Sequence, residues 1–223
     1  MEERYKISVP KPPTGLPTDH FCGYPPIRMK LSVARFRLLH ASPDLPAFDI
    51  YAGGKRAAAD FEYKDVIPYR HVPSGQYIFE VFPAGNKKKL LLFQTLNIQE
   101  GHSYTIAASG SAGGLRLFAF IDDPAPAAAK ARFKFIHLSP DTPAVDITSM
   151  EGAWVHSQIS FGQVTDYLTQ DSNSRALSIR PAGRTDTLLI LPDVAVPDSV
   201  STVVVVGCMK ERPGLEALLL SDL

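Results

Sequence analysis

The stretch that decides the fold is Ala34–Ile50, ARFRLLHASPDLPAFDI, which is answered by Ala131–Ile147, ARFKFIHLSPDTPAVDI. Of these 17 aligned positions 11 are identical, without a gap, at an offset of 97 residues. A period near a hundred residues is too long for a solenoid unit and matches one small β domain. The chain therefore reads as a tandem of two like domains.

The correspondence runs on past the opening. Tyr63–Tyr69, YKDVIPY, is matched by Phe161–Tyr167, FGQVTDY, and Pro83-Ala84-Gly85 by Pro181-Ala182-Gly183. Tyr104–Gly110 pairs with Thr202–Gly207, and the segments that run to Asp122 and to Asp222 pair in turn. The offset drifts only between motifs, where loops absorb insertions. Each copy alternates apolar and polar residues in β-branched and aromatic runs bounded by Pro, Gly and Asp, and neither sustains a helical period. Seven or eight strands in about 95 residues leave no room for crossover helices and predict antiparallel sheets packed face to face. The expected organisation is all-β: an N-terminal arm over residues 1–30, a sandwich over 31–123, a linker over 124–130 and a second sandwich over 131–223.

These motifs resemble a bacterial family known only as domain of unknown function 4397, whose opening is carried here by Arg35, Phe36, His40, Ala41, Ser42, Pro43, Asp44, Pro46, Ala47 and Asp49. The second copy departs at Leu138, where the family has Ala. The resemblance spans residues 34–223 as two tandem copies. It implies immunoglobulin-like antiparallel β-sandwiches, found commonly in surface or exported proteins, and it brings no reaction.

Composition excludes several classes. Basic and acidic residues balance at 23 each, so no global field recruits nucleic acid or an anionic membrane. The longest apolar runs, such as Leu90–Phe93 and Val203–Val206, fall far short of the roughly 20 residues that span a bilayer. The opening MEERYKISVPKPPTG shows no apolar core or small-residue cleavage site, so no secretory signal is expected. Location at a cell or spore surface then requires a route other than classical secretion, and a cytoplasmic location is the alternative. The six His residues show no paired ligand spacing, so neither zinc nor another cofactor is expected.

Residues with chemical potential cluster in the repeated motif. His40, Ser42, Asp44 and Asp49, with their twins His137, Ser139, Asp141 and Asp146, are the residue types of a hydrolase triad. Against that reading, Pro43 and Pro140 follow the serines directly and no strand-to-helix elbow is present. Turn chemistry explains the same residues: Pro43 and Pro46, like Pro140 and Pro143, fix φ, and the Asp side chain accepts backbone N–H groups just ahead of it. A hydrogen bond from His40 to Asp49, and from His137 to Asp146, is expected to pin the corner between two strands. A calcium site on Asp44 and Asp49 is the ligand alternative, although no recognised calcium loop is present. The aromatic residues, Tyr51, Tyr77, Phe79, Phe82 and Phe93 among them, are expected in the cores, since a glycan platform needs coplanar exposed rings.

The two halves differ in the arm and the cysteines. Pro10, Pro12, Pro13, Pro17, Pro25 and Pro26 rule out a helix or central strand over residues 1–30. Cys22 and Cys208 lie outside the paired motifs, and a disulfide between them is one expectation, an incidental and a buried thiol the other. The favoured function is a non-catalytic structural or adhesive surface protein whose partner is itself, the arm of one chain adding to a sheet edge of the next. The alternative is a glycan- or protein-binding module that uses loops at the sandwich ends.

Overall fold

A computed structural model of the chain describes residues 33–111, 113–122, 130–150, 152–170, 176–191 and 199–222. All of the expected arm, with Cys22, and the expected linker up to residue 129 lie outside the described residues. Leu31–Leu223 form one compact unit.

The first repeat contains β1 (Val33–His40), β2 (Phe48–Ala52), β3 (Lys55–Phe61), β4 (Val66–Pro73), β5 (Gly75–Pro83), β6 (Leu92–Ile98), β7 (Ser103–Ser109) and β8 (Arg116–Asp122). The second contains β9 (Ala131–His137), β10 (Val145–Ser149), β11 (Trp154–Ile159), β12 (Leu168–Gln170), β13 (Leu177–Pro181), β14 (Leu189–Leu191), β15 (Val200–Val206) and β16 (Glu216–Ser221). In the first repeat a sheet ordered β4-β1-β7-β8 packs on one ordered β3-β2-β5-β6. The second repeats this as β12-β9-β15-β16 on β11-β10-β13-β14. The architecture is two β-sandwiches, as the repeat predicts.

The expected antiparallel pairing holds for every pair of neighbouring strands but one in each repeat: β1 runs parallel to β7, with Arg35 opposite Ser103 through His40 opposite Ala108, and β9 runs parallel to β15. The Ser-Pro-Asp corner sends the chain from β1 across to the other sheet, so β1's own-sheet neighbour is a strand far along the sequence. Turn residues dictate hairpins between consecutive strands and say nothing about such a non-local pair. β4 runs through Pro68, which is tolerated on an edge strand. There the register shifts: Phe36 lies opposite Arg70 and Leu38 opposite Ile67, which sets Pro68 and Tyr69 in a bulge against Arg37.

β1 is buried on both faces. Ala34, Phe36 and Leu38 enter the core of the first sandwich, whereas Leu39 and Ala41 join Ile136, Leu138, Val204 and Val206 of the second repeat in a separate core. The sheets containing β1 and β9 thus meet through their outer faces, and the two sandwiches share one apolar layer.

Candidate functional site

Each repeated motif forms a closed corner. In the first, the His40 ring is buried and stacks on Phe48 with centroids 4.1 Å apart. Its Nδ1 accepts the backbone N–H of Ser42 at 3.2 Å, which leaves the proton of the neutral ring on Nε2, facing the Pro46 carbonyl without a hydrogen-bond partner in range. In the second, His137 Nδ1 accepts the Ser139 N–H at 3.3 Å and Nε2 lies 3.1 Å from the Pro143 carbonyl oxygen. Burial lowers the His40 pKa to about 4, opposed by the Pro46 carbonyl, and burial likewise lowers that of His137. Protonation would place a charge in the core and eject the serine N–H from Nδ1.

The serines do not face these rings. The Ser42 hydroxyl donates to the Gly110 carbonyl, and the Ser139 hydroxyl shares a 2.6 Å hydrogen bond with Thr142. Neither corner therefore holds a serine–histidine proton relay. Gly110 and its twin Gly207 have φ of +115° and +88°, and a Cβ on either would lie 2.3 or 2.2 Å from the carbonyl oxygen of Gly114 or Gly214. Only glycine closes the corner there. Asp141 accepts the N–H groups of Met209 and Lys210 at 2.7 and 2.9 Å. Burial pushes its carboxyl pKa up, but these bonds and the Ser139 hydroxyl outweigh it, and the net shift is downward.

The expected bond between His40 and Asp49 does not form, nor does its twin. Asp49 instead accepts the N–H of Asp60 at 3.0 Å and that of Gly85 at 3.3 Å. Asp146 accepts those of Gln158 at 2.8 Å and Gly183 at 2.7 Å. Asp60 and Gln158 both have positive φ, at 46° and 56°, within bulged strands. The carboxylates hold the bulge and the Pro-Ala-Gly turn together, while the histidines turn back on their own serines. Pro43, Asp44 and Pro140 complete the corners, and among the described residues no His, Cys, Asp and Glu group has the makings of a metal site. Cys208 is buried and has no disulfide partner among the described residues, which do not include Cys22.

A second constellation lies between the repeats. Arg37 of β1 donates to Asp222 Oδ1 at 2.5 Å, and Lys134 of β9 to Asp122 Oδ1 at 2.7 Å, so each basic residue reaches the other repeat's carboxylate. Thr105 and Tyr69 donate to Asp122 at 2.8 and 2.7 Å. Thr202 and Tyr167 donate to Asp222 at 2.8 and 2.6 Å. The β4 bulge aims the Tyr69 ring under Arg35 and Arg37, at 4.5 and 4.9 Å from their guanidinium carbons. Burial, then the Asp122 carboxylate, raises the Tyr69 phenol pKa well above its ordinary value. Two cations and two carboxylates, all buried, form a neutral and mutually hydrogen-bonded set. Sequence reasoning passed over it. The available signal was recurrence at matched positions: Arg37 with Lys134, Tyr69 with Tyr167, Thr105 with Thr202 and Asp122 with Asp222.

The family model described as Domain of unknown function (DUF4397) matches residues 34–148, which is the first repeat and the second as far as Thr148 in β10. No curated protein matches the chain.

Proposed function

The chain belongs to the DUF4397 family of domains of unknown function, and from that premise we infer that residues 131–222 are a second copy of the domain and that the protein is a non-catalytic structural module which assembles with copies of itself. The observation that carries this reading is the reciprocal ionic cluster between the repeats. Desolvated, fully paired charges fix one relative placement of the two sandwiches and penalise others, which is what a spacer of defined shape needs and what a flexible pair of binding modules does not. The corners support it too, because most of their polar side chains are held in hydrogen bonds to nearby backbone.

Assembly proceeds by strand addition, the arm of one chain pairing with an exposed edge of the next. The edge best suited is β6, whose backbone pairs only with β5 among the described strands, the Gln94 side chain alone bonding to Leu117 of β8, and which exposes Phe93 beside Ile78 of β5. An uncovered apolar edge is a template for another strand. With Cys208 buried, no cross-link is required. The test compares the full chain with a chain lacking residues 1–30 by light scattering and electron microscopy: higher-order assembly is expected of the full chain alone. Equal assembly of the two would overturn the arm mechanism.

A further inference from the structure

At the side of the first sandwich where edge strands β3 and β4 stand over one another, a pocket of about 450 Å³ opens between the two sheets. That volume falls in the roughly 300–1,000 Å³ range of small-molecule sites. Its floor is core: Phe36 and Leu38 of β1 with Ile67 and Val72 of β4. Its rim is cationic. Lys55 and Arg56 stand on β3 and Arg70 and His71 on β4, and no carboxylate is among the lining residues. Arg70 spans the mouth, donating to the Ala57 carbonyl at 3.2 Å. No ion pair among the described residues neutralises Lys55, Arg56 or Arg70.

The second repeat is an internal control. Phe36 pairs with Arg70 as Phe133 pairs with Leu168, and Tyr51 pairs with Arg56 as Thr148 pairs with Trp154. In that register Lys55, Arg56, Arg70 and His71 are replaced by Ala153, Trp154, Leu168 and Thr169. The small residues that leave room in the first repeat, Ala52, Gly53 and Ala57, give way to Ser149, Met150 and Val155. The same sandwich therefore forms without the cations and with bulkier residue types at the matching sequence positions. Fold alone does not call for a cationic apolar pocket in the first copy.

We propose that this pocket binds an amphiphilic anion, its alkyl tail lying between the sheets against Phe36 and Leu38 and its carboxylate or phosphate head held by Lys55, Arg56 and Arg70. The tail gains by leaving water. The head meets guanidinium groups that have no carboxylate partner among the described residues and are suited to bidentate recognition. This site is independent of whether chains assemble.

The probes are decanoate, decyl phosphate and decyltrimethylammonium, each titrated into the full chain by calorimetry below its micelle threshold. Decanoate or decyl phosphate is expected to bind at least ~10-fold more tightly than the cationic probe, with affinity falling as salt rises. Tighter decyl phosphate points to a lipid headgroup and tighter decanoate to a free fatty acid; both support the site. The Lys55→Gln/Arg56→Gln variant, at two exposed positions, should lose ~10-fold or more of anion affinity while its melting temperature is retained. Absence of anion binding, equal binding of the cationic probe, or unchanged anion affinity in the double variant would each overturn the assignment. The comparison of probes needs no variant, so a misfolded mutant leaves the proposal testable.

Discussion

Removing Asp222 by an Asp222→Ala substitution strips Arg37 of its 2.5 Å partner and leaves Thr202 and Tyr167 without their acceptor. The cluster is then left with two buried cations and the single carboxylate of Asp122, which lies 3.9 Å from Arg37 and 2.7 Å from Lys134. Breaking a buried pair on one side costs about 3–5 kcal/mol, because the surviving charge stays desolvated. Replacing both members with apolar residues removes that charge and is often neutral or stabilising, so Arg37→Met/Asp222→Leu should cost far less than Asp222→Ala. Guanidinium denaturation followed by circular dichroism measures both, the midpoint giving stability and the slope giving the surface exposed on unfolding. The unmodified chain should unfold in one transition, since the repeats share an apolar layer. A cost below ~1 kcal/mol for Asp222→Ala, or a double variant as unstable as the sum of the singles, would show that the cluster does not act as a buried, coupled unit.

Acidification should act through the corner histidines. With its pKa at about 4 in the fold and near 6.5 when unfolded, His40 takes up its proton in the unfolded chain first. Stability is therefore full above pH 6.5, falls as pH drops toward 4 and levels off below it, a loss on the order of 3 kcal/mol at 1.36 kcal/mol per pH unit. His40→Phe should flatten that slope in denaturation curves taken from pH 7.5 to 4.5; an unchanged slope would refute the assignment. Asp146→Ala removes the acceptor for the Gln158 and Gly183 N–H groups, at about 1.5–3 kcal/mol for each bond to a charged group. Its melting temperature should fall by roughly 6–24 °C, whereas a fall of under ~2 °C would mean that water replaces the carboxylate.

Strand positions were legible because alternation and turn residues are local. Flanking Gly, Pro and Asp residues and β-branched or aromatic runs mark Lys55–Phe61, Gly75–Pro83 and Ser103–Ser109, each of which is a strand. The parallel pairing of β1 with β7 was not legible, because its partners lie 68 residues apart and no turn encodes it. In the corners the turn chemistry of Ser-Pro-Asp was legible, yet the partner of Asp49 was not. That depends on a bulge at Asp60, whose N–H points inward only once β3 has lost register. The ionic cluster was hidden for a different reason. Within one copy Arg37 sits on the outer face of its sheet and reads as solvated; only a second sandwich laid on that face takes it out of water.

Arg37 and Asp222 are separated by 185 residues, and this spacing sets an order of events during synthesis. The first sandwich has all its strands once Asp122 has been made, but its outer sheet then carries Leu39, Ala41, Ala107 and Phe120 with nothing against them and Arg37 without its carboxylate. At about 5–20 residues per second, the remaining hundred residues take roughly 5–20 s to emerge, and over that interval the half-made chain presents a sticky, charged face. Two nascent chains on one messenger would present matching faces to each other. Exchange of second repeats between neighbours is thus the misassembly to which this architecture is most exposed, and β16, which carries Leu220, is the strand that ends the exposure.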